Sequence, residues 1–320
     1  MASGSVLIYE PDSAADARTY AEAVARDFPG LDVRVTSDHV EACQLATDAE
    51  VLIAKAQDVS AQLIAAAPKL DWIHALVSGT DHLNTLRLPP SLTVTSARGM
   101  HGPQMVELAI LLMLALSRDL PRMLVHQQQS KWQRWAQPLL LGKTAVIVGV
   151  GSISGALATR CRAFGLRVVG VSSGRTEAAG FDEVQPRARL AELAARADFL
   201  ILLVPYTQET HHLVDATVLA AMKKSAFVIN IARGSVIDEG ALIEALRTGR
   251  IAGAGLDVFA SEPPAYDNPL WRMKNVIMTP HIGGMSDVYA LQALPVLLHN
   301  LRAYLAGDRA AMQNVVKRAG

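Results

Sequence analysis

Thr144-Ala-Val-Ile-Val-Gly149-Val-Gly151-Ser-Ile-Ser154-Gly155 is the stretch on which the fold turns. An apolar, β-branched run ends at Gly149, and a helical pattern over residues 156–164 follows the glycines. Strand, glycine turn and helix in this order are what a dinucleotide-binding turn requires. Gly149 permits the tight turn, Gly151 lets the backbone approach a pyrophosphate, and the helix N-terminus offers free N–H groups and the positive end of its dipole. Gly149, Gly151, Ser152 and Ile153 are therefore candidate cofactor residues. Ser154 stands where a third glycine is usual, so strand and helix are expected to pack slightly less closely. The same turn also occurs in α/β proteins that hold no nucleotide, so the surrounding sequence has to carry the reading.

About 20 residues past the glycines, an acidic residue commonly accepts from the ribose hydroxyls. Here the run over residues 168–171 ends in Ser172-Ser173-Gly174-Arg175, with no carboxylate. An acid there would repel a 2′-phosphate, whereas hydroxyls from Ser172 and Ser173 and the guanidinium of Arg175 suit one. NADP(H) is the expected cofactor, with NAD(H) possible. Arg175 is also open to reading as a solvated loop residue.

Outward from this motif the chain alternates between strand and helix patterns. Short β-type runs occupy residues 6–9, 33–35, 51–53, 72–76 and 93–95, separated by helical spacing at 14–27 and 60–67. A second series occupies 144–149, 168–171, 199–204, 227–230, 253–257 and 275–278. Two doubly wound parallel α/β units follow, and 320 residues are enough for two cores. The hydrophobic share of 51% with only 5% aromatics suits Val/Ile strands under Ala/Leu helices. Residues 105–129 read as one long helix, a dimer-forming element, and a helical tail over 291–305 is placed to pack back on the first unit.

Other classes are disfavoured by the totals. Thirty basic and thirty acidic residues give a formal charge of zero, which leaves no positive field for nucleic acid or an anionic membrane. The longest apolar run, 108–116, is too short to span a bilayer. Cys43 and Cys161 form no close-spaced pair, so neither a metal site nor a redox pair is expected. The start at Met1 shows no basic region before an apolar stretch, which points to the cytoplasm.

Three further segments carry polar groups at strand ends, where a doubly wound sheet places its ligands. They are Asn230-Ile-Ala-Arg233-Gly234, Gly255-Leu-Asp257-Val-Phe-Ala-Ser-Glu262-Pro263 and Thr279-Pro-His281-Ile-Gly-Gly284. With the glycine turn and Val77-Ser78-Gly79-Thr80-Asp81-His82, this set closely resembles the D-isomer-specific 2-hydroxyacid dehydrogenases over nearly the whole chain, in particular those of glyoxylate/hydroxypyruvate reductase type. The resemblance implies a flavodoxin-like substrate domain, residues 1–102 plus 287–320, and a Rossmann dinucleotide-binding domain, residues 103–286. It makes His281 the general acid/base, Glu262 its carboxylate partner and Arg233 the group that holds the substrate carboxylate and polarises the keto oxygen. It places Asp257 near the nicotinamide carboxamide, adds Val204, Pro205, Thr210, Ile231, Ala232 and Gly283 to the cofactor residues, and assigns the substrate carboxylate to the loop of Val77, Ser78 and Gly79.

Those residue types suit the chemistry. Hydride addition to a ketone leaves charge on oxygen, and histidine supplies a proton near neutral pH. Arginine's planar fork matches a carboxylate. Taken singly, each has an ordinary alternative: a satisfied histidine, a turn cap before Pro263, a loop closure before Gly234. In this order, each beside a strand end, they read as one site. Glu262 argues against formate oxidation, where relatives carry glutamine, and Ser78 against phosphite oxidation, where relatives carry lysine. The pocket side chains are placed only loosely, at Tyr9, Leu52, Val77, Met100 and Met285, while His101, Trp132 and Trp135 read either as pocket residues or as packing. The expected partner is a second copy in a homodimer. The competing reading is a dinucleotide-sensing, corepressor-like binding protein of the same fold.

Overall fold

The structure is a computed structural model that describes residues 4–317. Met1–Ser3, on which part of the reading of the N-terminus rests, lies outside the described residues. The chain runs β1 (Ser5–Tyr9), α1 (Ala14–Asp27), β2 (Asp32–Thr36), α2 (His39–Leu45), β3 (Val51–Ala54), α3 (Ala61–Ala65), β4 (Trp72–Ala75), β5 (Thr93–Ser96), α4 (Gly102–Ser117) and α5 (Leu120–Gln128). It continues through β6 (Thr144–Val148), α6 (Ser152–Ala163), β7 (Arg167–Ser172), β8 (Glu183–Pro186), α7 (Leu190–Arg196), β9 (Phe199–Leu202), α8 (Ala216–Ala221) and β10 (Phe227–Asn230). It closes with α9 (Glu239–Arg247), β11 (Gly253–Leu256), β12 (Val276–Met278), α10 (Tyr289–Leu305) and β13 (Val315–Lys317). Two compact units result, Met1–His101 with Ser286–Gly320, and Gly102–Met285.

In the first unit the sheet order is β13-β5-β4-β3-β1-β2. The strands β1 to β5 are parallel in the flavodoxin-like order, and β13 adds an antiparallel edge. Val6, Leu7 and Ile8 are all buried because helices cover both faces. On one face Val6, Ile8, Trp72, Tyr20 and Val24 meet Ala293, Leu297 and Leu301 of α10. On the other, Leu7, Leu52 and Ile73 meet Leu63 of α3. The α1 helix starts where Ser13 accepts from the Asp16 N–H, and α3 where Ser60 accepts from the Leu63 N–H. Three of the loosely placed pocket residues are corrected here. Tyr9 and Leu52 belong to the core under α3, because strand residues between two helix layers have no free face, and Met100, in the turn after β5, packs into the core under α10.

In the second unit the order β12-β11-β10-β9-β6-β7-β8 is parallel throughout and reverses between β6 and β9, as in a Rossmann sheet. One layer of helices buries Leu193, Val218, Leu219, Leu242 and Leu246. The other buries Leu108, Leu112, Leu157 and Cys161 against Ala145, Ile147 and Ile229. Gly255 is closely packed: a Cβ there would lie 3.0 Å from the Leu112 Cβ, tighter than an ordinary contact. The single helix expected over 105–129 is instead two. Asp119 takes a left-handed conformation (φ 55°) and Pro121 sits in the first turn of α5, where its missing N–H costs nothing. Trp135 packs on α5, with the Arg122 guanidinium 4.3 Å from its ring centre, whereas Trp132 is 89% exposed. Among the described residues no helix is long and apolar enough to cross a membrane.

Candidate active site

The glycine turn after β6 has the geometry its sequence implies. Gly149 has φ 103°, and a Cβ there would lie 2.6 Å from the Leu203 carbonyl oxygen, so only glycine fits. Gly151 immediately precedes α6, and a Cβ there would meet no protein atom within 4 Å. The open space lies beside the free N–H groups of the first helical turn, which suits an approaching pyrophosphate. Ser154, at the third-glycine position, is buried. At the end of β7, Ser172 accepts from the N–H groups of Gly174 and Arg175, 3.3 and 3.0 Å away, and so shapes the turn that presents exposed Ser173 and Arg175. Arg175 forms no ion pair among the described residues. After β9, Val204 is half-buried and Pro205 exposed, while Thr210 is buried and donates to the Pro205 carbonyl at 2.8 Å. Thr210 therefore braces this loop from inside.

Arg233 is carried on a turn made by Asn230, the last residue of β10. Asn230 accepts from the Ala232 N–H at 3.1 Å and donates to the Arg233 carbonyl at 3.0 Å. Ile231 and Ala232 are buried and Arg233 is half-buried. Gly234 is mandatory because a Cβ there would sit 1.9 Å from the Phe259 carbonyl carbon.

Asp257, at the end of β11, organises the next loop. Its buried carboxylate accepts from the Thr279 hydroxyl at 2.6 Å and from the N–H groups of Ile282 and Gly283 at 3.0 and 2.9 Å, and its carbonyl accepts from the His281 N–H. A Cβ at Gly283 would come within 2.8 Å of that carboxylate. His281 is thereby held at φ 52°, a conformation non-glycine residues seldom adopt and one that concentrates at functional sites. Its Nδ1 lies 2.6 Å from Glu262 Oε2, and Glu262 Oε1 accepts from the Phe259 N–H. Because an ionised carboxylate only accepts, Nδ1 carries the proton and Nε2 remains for exchange with a ligand.

In the first unit, the residues after β4 turn outward at Val77, Ser78 and Gly79, whose backbone N–H groups have no acceptor among the described residues. Consecutive unpaired donors of this kind suit an anion. No group of three or more His, Cys, Asp or Glu side chains suited to a metal occurs among the described residues.

Comparison with known proteins bears on these features directly. The family described as D-isomer specific 2-hydroxyacid dehydrogenase, NAD binding domain, matches residues 110–283. The chain belongs to the D-isomer specific 2-hydroxyacid dehydrogenase family. It is 31% identical over 310 residues to a glyoxylate reductase of Pyrococcus horikoshii, covering 89% of this chain and 92% of that one. It spans about half the length of a D-3-phosphoglycerate dehydrogenase from Methanocaldococcus jannaschii, to which it is also similar. A family protein of known structure from Aeromonas salmonicida superposes with a TM-score of 0.89 at 33% identity, covering 98% of this chain and 99% of that one. Another from Xanthobacter autotrophicus, solved with NADPH and MES, gives 0.81 at 28% identity and covers 98% of each chain.

In this 2-hydroxyacid dehydrogenase the protonation of the pair is set by its surroundings. The His281 imidazole is held above its ordinary value, chiefly by the hydrogen bond to Glu262, against burial and the Arg233 charge. Burial pushes Glu262 up, but hydrogen bonds from His281 and the Phe259 N–H outweigh it, leaving the carboxyl below its usual value. His281's contribution to stability is complete below the unfolded histidine value and is lost as pH rises through its raised folded value. That of Glu262 is present above the unfolded carboxyl value and is lost as pH falls through its depressed one. Between the two folded values both groups are charged. Replacing Glu262 by glutamine is expected to lower the His281 pKa, so that the limb of kcat/KM for reduction that falls with rising pH moves to lower pH. A pH–rate profile of E262Q against the parent protein checks this, and superimposable profiles would refute the pairing.

Two contributors to this site went unassigned in the sequence. Asn230 shapes the Arg233 turn, and asparagine at a strand end three residues before an arginine is the signal available for it. Glu239 accepts from the Ala260 N–H and the Asn268 amide, bracing the loop that carries Glu262. Its partners are distant in sequence and leave no local signal.

Proposed function

We propose that the protein is an NAD(P)-dependent oxidoreductase that reduces a small 2-oxo acid, such as glyoxylate or hydroxypyruvate, to the D-2-hydroxy acid. The observation that carries this reading is the His281–Glu262 hydrogen bond of 2.6 Å, in the same unit as the Arg233 turn and the glycine turn. The reduced nicotinamide supplies the hydride. Arg233 polarises the keto oxygen and holds the substrate carboxylate through its two-pronged fork. The imidazolium of His281 donates its Nε2 proton to that oxygen as negative charge develops, and Glu262 stabilises the charged ring while keeping it oriented. In the first unit, the N–H groups of Val77, Ser78 and Gly79 receive a carboxylate. On this reading Gly102–Met285 is the dinucleotide-binding unit, with Gly149, Gly151, Ser152, Ile153, Val204, Pro205, Ile231, Ala232, Asp257 and Gly283 around the cofactor, and the other unit is the substrate domain.

The test is the loss of reduced-nicotinamide absorbance with glyoxylate, hydroxypyruvate and longer 2-oxo acids, each with NADPH and with NADH. Turnover is expected, and silence across the panel despite tight cofactor binding would overturn the reading in favour of a dinucleotide sensor.

NADPH is the preferred cofactor in this proposal, supported by the absence of a carboxylate after β7 and by the exposed Ser173 and Arg175. Arg175→Ala is expected to raise the KM for NADPH about tenfold, the loss of one charge-assisted contact, and to leave that for NADH unchanged. Equal effects on both cofactors would remove the 2′-phosphate assignment. The apolar side chains exposed between residues 111 and 141, Leu111, Leu124, Val125, Trp132 and Leu141, support a homodimer. Light scattering after size exclusion is expected to give about twice 34.3 kDa. The two free cysteines support a cytoplasmic location.

A further inference from the structure

The loop after β4 is fastened by a chain of hydrogen bonds. Tyr289 OH lies 2.7 Å from the Leu76 carbonyl oxygen, His101 Nε2 lies 3.3 Å from Tyr289 OH, and Ser78 Oγ lies 2.7 Å from His101 Nδ1. His101 and Tyr289 are each 7% exposed, and their rings are 5.6 Å apart. A carbonyl oxygen can only accept, so Tyr289 commits its single hydroxyl proton to Leu76. Burial pushes the phenol's pKa up, so that proton is retained. Toward His101, Tyr289 can then only accept, which puts the imidazole proton on Nε2. In the neutral ring Nδ1 then keeps a lone pair, to which Ser78 donates.

The consequence appears on the outer side of the loop. With its only proton turned inward, Ser78 offers a ligand lone pairs alone, while the N–H groups of Val77, Ser78 and Gly79 point to no acceptor among the described residues. A carboxylate, which only accepts, can be held by those N–H groups and not by the Ser78 hydroxyl. A substrate hydroxyl, which can donate, finds an acceptor in Ser78.

We infer that His101 and Tyr289 are positioning residues that set the donor and acceptor polarity of the loop at residues 77–79, so that its backbone takes the substrate carboxylate and Ser78 favours 2-oxo acids bearing a neighbouring hydroxyl. This rests on the proposed 2-oxo acid reduction. It goes further in naming hydroxypyruvate, over the otherwise identical pyruvate, as the class of substrate the loop selects.

The first measurement is independent of turnover. Long-range ¹H–¹⁵N spectra of the histidine-labelled full-length protein, with and without NADPH, report the tautomer of each ring, and His101→Gln identifies the signals of His101. A neutral ring protonated on Nε2 at pH 7.5 is expected. A ring protonated on Nδ1, or on both nitrogens, overturns the inference whatever the enzyme reduces. Tyr289→Phe then removes the acceptor that pins the proton. It is expected to give a mixture of tautomers, to raise the KM for hydroxypyruvate about tenfold with kcat within about twofold, and to shrink the preference for hydroxypyruvate over pyruvate, with NADPH affinity unchanged. An unchanged KM and preference would overturn the positioning role, as would a parent protein that turns over pyruvate as readily as hydroxypyruvate. Absence of turnover with every 2-oxo acid, beside the expected tautomer, would instead overturn the proposed reaction and with it the substrate selection, leaving the hydrogen-bond polarity standing.

Discussion

His281→Ala is expected to lower kcat for 2-oxo acid reduction by about 10²–10⁴-fold, the range associated with loss of a positioned general acid. Without the imidazolium, the developing alkoxide must take its proton from water, and the charge that Glu262 stabilises through Nδ1 is lost as well. The glycine turn and the end of β7 do not involve His281, so NADPH affinity, followed by nicotinamide fluorescence, should stay within about threefold of the parent value, less than 1 kcal/mol. The residue also occupies an unusual backbone conformation. Its φ of 52° is disfavoured for alanine as for histidine, so the substitution keeps the strain and removes only the ring. Near-parental turnover would end the assignment of His281 as the acid. Loss of cofactor binding in step with activity would show that the loop, and not the proton, had been damaged.

Arg233→Lys is expected to lower kcat/KM by about 10²–10³-fold, comparable with removing one oxyanion-stabilising donor. Charge is conserved, so the loss isolates geometry: an ammonium cannot offer the two parallel donors of a guanidinium to a carboxylate. Support for the side chain comes from the turn built by Asn230 and from Gly234, which lies against Phe259 with no room for a Cβ. The backbone at 233 is therefore the same in the variant. The fall should appear in both KM and kcat, since the group binds the ground-state carboxylate and polarises the oxygen that becomes negative. Full steady-state kinetics with hydroxypyruvate and NADPH measure both. A rise in KM with kcat unchanged would confine Arg233 to ground-state binding.

Much of this site is legible in sequence because a parallel sheet converts one-dimensional order into position. Asn230, Asp257 and Thr279 each follow a short apolar run, and such runs become adjacent strands whose C-terminal ends share one edge. The features that escaped are those with no local pattern. The short α2 helix and the polar edge strand β8 carry too few residues to show a period. Likewise β13 is recruited only by pairing with β5. The break between α4 and α5 was signalled by Pro121, but the apolar content of the flanking segments conceals it.

By itself, the sequence determined the two strand–helix series, the glycine turn and the identities of Arg233, Glu262 and His281, because these depend on hydrophobic period and on side-chain chemistry at fixed spacing. Tertiary structure alone decided how those groups are held. Asp257 fixes the loop of His281 from across the sheet edge, Glu239 braces the loop of Glu262, and Tyr289 reaches His101 and the Leu76 carbonyl from the far end of the chain. Each of these bonds joins residues far apart along the chain. Hydrogen-bond direction is a property of atoms brought within about 3 Å of each other, and only the folded chain sets which atoms those are.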